Sequence, residues 1–96
     1  MIKVLIKDKS ITISGHANYD DYGKDIVCAA VSATVITTVN GILSIDKSSI
    51  EVIENNKVEI KILKDNETVN KLINNMINLL TELQKDYKDN IDIRRC

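Results

Sequence analysis

The stretch Asp25-Ile26-Val27-Cys28-Ala29-Ala30-Val31-Ser32-Ala33-Thr34-Val35-Ile36-Thr37-Thr38-Val39-Asn40 decides how the chain folds. It is too long for an ordinary strand and Gly41 follows as a stop, so residues 25–40 are expected to form a buried helix. Its β-branched residues lower its own helix propensity, so tertiary packing has to hold it. Ala29, Ala30, Ser32 and Ala33 leave room for another backbone to come close.

Upstream, Ile2, Val4 and Ile6 alternate with Lys3 and Lys7, and after Asp8-Lys9-Ser10 the alternation resumes at Ile11 and Ile13. That is a β-hairpin with a short polar turn. Residues 14–24 lose the period, and Gly15 and Gly23 bracket a polar stretch read as a mobile loop. Downstream, Ile50 and Val52 lead through Glu54-Asn55-Asn56-Lys57 into Val58, Ile60 and Ile62, a second hairpin whose asparagines suit a left-handed turn. Val69, Leu72, Ile73, Met76, Ile77, Leu80, Leu83 and Tyr87 then recur at helical spacing behind Asn66, an expected N-cap, with Glu67 favourable to the helix dipole. Ile91-Asp92-Ile93 is a candidate edge strand. The expected fold is α+β, one domain over residues 1–96: two-layer ββαββα, a mostly antiparallel sheet with both helices packed on one face. The opposite sheet face mixes Lys3, Leu5, Lys7, Glu51, Ile53, Glu59 and Lys61, and its apolar members leave room for a dimer contact.

Composition narrows the function classes. The 96 residues hold 16 Ile, 8 Val and 7 Leu against 3 Tyr and no Phe or Trp, so the core is aliphatic. A chain of this size buries only about 60 to 65% of its unfolded surface, and a second copy would be a natural supplement. Thirteen basic and 14 acidic residues, scattered apart from Arg94-Arg95, leave no patch for nucleic acid. No apolar run reaches the roughly 18 residues of a membrane span, and the start of the chain lacks a signal-peptide core, so a cytosolic protein is expected. In that compartment Cys28 and Cys96 are expected to be separate thiols.

One histidine and one cysteine lie twelve residues apart across the glycine-bounded loop, His16 and Cys28. With Asp25 near the cap, Cys28 is expected in the first helical turn, where the dipole and N–H groups favour thiolate. His16 could take the thiol proton and later deliver it to a leaving amine, and Asp25 could orient the imidazole or simply cap the helix. Tyr19 and Tyr22 could line a groove, and Ser32, one turn after Cys28, could donate a hydrogen bond there. On spacing alone the plainer readings stand ahead: a small buried cysteine, a surface histidine, a serine bonded to its own helix. A zinc set and a phosphate-cradling glycine motif are both missing, so neither metal nor cofactor is expected.

The segment Ser14-Gly15-His16-Ala17-Asn18-Tyr19 and Tyr22-Gly23-Lys24-Asp25-Ile26-Val27-Cys28-Ala29-Ala30-Val31-Ser32-Ala33 closely resembles the Prp family, the ribosomal-processing cysteine proteases also called YsxB-like proteins. Length and element order extend the likeness over nearly the whole chain. The resemblance implies a cytosolic, homodimeric, cofactor-independent endopeptidase. Its substrate would be the N-terminal extension of large-subunit ribosomal protein number twenty-seven, cut between Phe and Ala. It implies Cys28 as nucleophile, His16 as general base and Asp25 as the acidic residue of the motif, with Ser32 matching the motif serine. An extended peptide would lie in a groove formed with Gly15, Tyr19, Tyr22, Gly23 and Ser32. Two other classes stay open at this point: a non-enzymatic ribosome-associated assembly protein, and a thiol redox or acyl-transfer protein using the same Cys28.

Overall fold

The computed structural model describes residues 1–15 and 22–96, with side chains from residue 26 onward in the first helix. The chain order is β1 (Ile2–Ile6), β2 (Ser10–Ser14), α1 (Tyr22–Ile45), β3 (Ile50–Glu54), β4 (Val58–Ile62), α2 (Glu67–Asp86) and β5 (Ile91–Arg95). The five strands form one sheet in the order β3-β4-β2-β1-β5. Three of its pairings are antiparallel, and β5 adds to β1 in parallel. The α+β two-layer expectation therefore holds, with the candidate edge strand extended to five residues.

Register puts like residues on one face. Val4 faces Ile13 and Ile93, Ile11 faces Ile6 and Ile60, and Ile60 faces Val52. Because side chains alternate, this ladder gathers Ile2, Val4, Ile6, Ile11, Ile50, Ile60 and Ile91 into the buried core. The helices cover that face: α1 packs over β3, α2 over β5, and the two helices pack against each other. The β3–β4 turn closes with the Asn55 N–H donating to the Lys57 carbonyl, 3.0 Å. Among the described residues only Gly15 has positive φ, so the asparagines do not use the left-handed geometry expected of them.

α2 follows its sequence. Asn66 is the N-cap, in extended geometry, and its Oδ1 accepts from the Val69 N–H at 3.2 Å. Val69, Ile73, Met76, Ile77 and Leu80 form the buried stripe.

α1 departs from expectation at both ends. It begins at Tyr22, so Tyr22, Gly23 and Lys24 belong to the helix and not to the loop, and Ser14 belongs to β2. It also runs through Gly41 to Ile45. A glycine ends a helix by taking positive φ, which Gly41 does not, and Ile42 just beyond it is fully buried, so packing carries the helix on. The end comes where Asp46 Oδ1 accepts from the Ser48 N–H and hydroxyl, at 3.0 and 2.7 Å. These bonds hold the Asp46 carboxyl below the ordinary carboxylate range.

The helix is also less buried than expected. Val27, Val31, Val35, Val39 and Ile42 reach the core, but Ile26 and Ile36 are 60% and 56% exposed, and Ala29, Ser32 and Ala33 face outward. By length and composition Ile26–Ile45 is apolar enough to cross a membrane, against the expectation from consecutive apolar residues. Serine and threonine interrupt that count, and Thr34 and Thr38 donate their hydroxyls to the carbonyls of Ala30 and Thr34, both 2.8 Å. Here the valine stripe makes it the helix that fills the core beneath it.

Candidate active site

The site is built where β2 ends and α1 begins. Gly15 follows β2 with φ +88°, and a Cβ there would fall inside contact distance of the Met1 carbonyl oxygen. Only glycine suits that backbone, so this residue turns the chain out of the sheet against the start of β1. His16 and Tyr19 lie outside the described residues, as does most of the expected loop. Tyr22, Gly23 and Asp25 sit in the first turn of α1. Asp25 is thus a residue within the helix, which removes the reading of it as the N-cap.

Cys28 falls in the second turn, not the first, because α1 starts three residues earlier than its periodicity suggested. Its backbone N–H lies beyond the four that a helix leaves without an intrahelical partner, a set that ends at residue 24. Any polarisation of the sulfur by the helix start therefore acts across a turn, a weaker effect than expected. The side chain is half-buried against the core, and Ser32 is exposed. Asp25, Cys28 and Ser32 are spaced i, i+3, i+7, which sets them along one flank of α1. Cys28 and Cys96 are in no disulfide, in keeping with separate thiols.

The opposite flank of α1 belongs to the helix pair. Ala30, Ala33 and Thr34 line a shallow apolar groove with Leu79 and Leu83 of α2. At 3.6 residues per turn Cys28 and Ala30 stand roughly 160° apart around the axis. Cys28 therefore lies on the flank turned away from α2.

A second groove lies elsewhere among the described residues. An open groove of about 640 Å³ lies at the other end of the sheet, bordered by Lys7, Asp8, Asn70, Asn74, Arg95 and Cys96. Sequence reading missed it because its walls come from five separate elements and share no motif. It contains none of the residues singled out for chemistry.

The fold and the cysteine-bearing helix define a cysteine peptidase: the family model described as cysteine protease Prp matches residues 1–92. The chain belongs to the cysteine protease Prp family. It is similar to the ribosomal processing cysteine protease Prp of Bacillus subtilis (strain 168), 33% identical over 92 residues, covering 88% of this chain and 82% of that protein. The protein of the same name from Staphylococcus aureus (strain Mu50 / ATCC 700699) is 27% identical over 89 residues, covering 88% and 84%. Among solved structures, the essential ribosomal processing protease Prp from S. aureus, in complex with a covalently linked product peptide, superposes with a TM-score of 0.90 at 25% identity, covering all of both chains. A two-layer sheet with helices on one face is thus shared, and the assembly-protein and redox alternatives give way to a peptidase.

Proposed function

We propose that this chain is a ribosomal-processing cysteine endopeptidase of the cytosol, which removes the N-terminal extension of large-subunit ribosomal protein number twenty-seven by cutting between Phe and Ala. The observation that carries this reading is the match over residues 1–92, which contains the whole Gly15–His16 and Asp25–Cys28–Ser32 pattern. In this mechanism His16 takes the Cys28 proton, and the thiolate attacks the scissile carbonyl carbon. Collapse of the tetrahedral intermediate breaks the C–N bond, and His16 protonates the leaving amine. Water then hydrolyses the thioester and restores the thiol. Asp25, on the same flank as Cys28, orients the imidazole. Oxyanion donors come from the N–H groups of residues 22–24 at the helix start. Gly15, Tyr19, Tyr22, Gly23 and Ser32 border the peptide.

Two copies associate in this proposal, and the exposed Ile26 and Ile36 on α1 support it, since large apolar side chains left in water are favourable to cover. The test of the activity is incubation with a peptide of the ribosomal extension. Cleavage by the parent that is lost in both Cys28→Ser and His16→Ala supports the reading. A parent that leaves the peptide intact refutes it.

A further inference from the structure

The groove at the other end of the sheet from the start of α1 gathers charge that the linear sequence scatters. Its walls carry four basic and two acidic side chains, net +2, while the rest of the chain, with nine basic and twelve acidic, is net −3. Backbone bonds fix the segments that bring these cations together. The Lys7 N–H donates to the Ser10 carbonyl at 2.8 Å, and the Ile62 N–H to the Lys9 carbonyl at 2.9 Å. On the other side Arg95 is the sheet partner of Ile6, and the Cys96 N–H donates to the Ile6 carbonyl at 2.9 Å. The β1–β2 turn, the end of β4 and the end of β5 therefore form one framework.

The four cations differ in what already holds them. Lys64 Nζ donates to the Ser48 hydroxyl at 2.5 Å and stands 3.8 Å from Asp46 Oδ2. Lys7, Lys9 and Arg95 are exposed and make no ion pair among the described residues. Of the two acids, Asp65 already accepts from Asn70 Nδ2 at 2.9 Å. Asn74, exposed on the α2 wall, has a side-chain amide with no partner among the described residues.

Like charges that converge on one concavity repel, and an anion seated among them is attracted by all. We infer that this groove binds a compact oligophosphate, two or three linked phosphate groups, through Lys7, Lys9 and Arg95, with the Asn74 amide as a neutral donor. Phosphate suits the set, because the planar Arg95 fork takes two oxygens of one group while the lysines act as point charges. Three free positive charges are matched by linked phosphates and not by one, which carries at most about two negative charges at pH 7. The volume of about 640 Å³ is that of a small-ligand site. No aromatic side chain lines it, so nothing stacks on a base and the phosphate chain alone is read. A long polyanion such as RNA is disfavoured, since beyond the groove it meets the net −3 of the remaining chain. The groove contains no residue of the proposed catalytic site, and its ligand does not depend on the peptidase reading.

The test titrates inorganic tripolyphosphate into the full chain by calorimetry. Binding of one per chain is expected, with ATP within about threefold of it because its base is not read, and orthophosphate at least about tenfold weaker. Lys7→Gln and Arg95→Gln should each weaken tripolyphosphate about tenfold. Lys57→Gln, in the β3–β4 turn at the opposite end of the sheet, removes the same charge and should leave the affinity within about twofold. All three positions are exposed, and melting temperatures equal to the parent's check that each variant is folded. A second measurement needs no variant. In proton–nitrogen correlation spectra of the parent, shifts on adding tripolyphosphate should centre on residues 7–9, 74 and 95–96. No saturation by about 1 mM, equal weakening by Lys57→Gln, or shifts centred elsewhere overturns the inference. Tighter binding of a single-stranded RNA oligonucleotide than of tripolyphosphate overturns it too.

Discussion

α1 and α2 lie side by side on the same face of the sheet, 24 and 20 residues long, yet they divide their surfaces in different ways. α2 is charged or polar on most of its outer side, with Glu67–Lys71 and Glu82–Lys85 ion pairs along it, and buries one clean apolar stripe. α1 has no charged residue between Ile26 and Ile45, and shows isoleucine and alanine to solvent as well as valine to the core. The difference teaches where stability and function are held. α2 meets every requirement of a stable amphipathic helix. α1 relies on its valine stripe, and leaves a flank for Cys28 and an outer face on which Ile26 and Ile36 are exposed.

The largest effect that would break this division is on stability. Leu80→Ala empties a fully buried position in α2 and is expected to cost about 2–5 kcal/mol, whereas Ile36→Ala on α1 stays within about 0.5 kcal/mol in the monomer. Urea unfolding of both variants at equal, dilute concentration checks it, and comparable losses would dissolve the contrast. Gly15→Ala comes next, at about 1–3 kcal/mol, because the left-handed backbone and the Met1 carbonyl leave no place for a methyl group. A melting temperature equal to the parent's would show that the chain can leave β2 another way.

Smaller changes sharpen the comparison by sign. Asn66→Ala removes the cap of α2 and is expected to destabilise by about 1 kcal/mol. Gly41→Ala lies inside α1 with nothing within 4 Å of the new methyl group, and is expected to stabilise by about 0.5–1 kcal/mol. Thermal unfolding of the two single variants should move in opposite directions.

The smallest effect concerns pH. The Ser48 hydroxyl and amide bonded to Asp46 lower its folded-state pKa below the ordinary 3.8. The stabilisation is present above that unfolded value and is lost as pH falls through the folded one. Asp46→Asn should remove this part of the acid limb, so the difference in stability between parent and variant should shrink below pH 3.8. A difference that stays constant across that range would contradict it.

Most of this architecture was legible, for reasons that also explain what was not. Both hairpins and α2 announce themselves because one face of each is wet, which prints a period of two or 3.6 on the residues. α1 prints no such period, since its exposed Ile26 and Ile36 look like its buried Val27 and Val35. Its start was hidden by Gly23, a poor helix former, and its end by Gly41, whose meaning depends on φ and not on identity. The same three-residue error moved Cys28 from the first turn to the second. The proposed site was picked out as a motif, Gly15-His16 and Asp25 through Ser32, but the flank of α1 that carries Cys28 follows only from where α2 sits.

The central claim is that Cys28 on that flank forms the bond to the substrate. Acid quenching of the parent during turnover of the extension peptide, followed by mass spectrometry, should find the mass of the N-terminal fragment, as a thioester, on the segment containing Cys28. Cys28→Ser should carry none and cut no peptide. Cleavage by Cys28→Ser at the parental rate, or an acyl group found on another residue, would contradict the account.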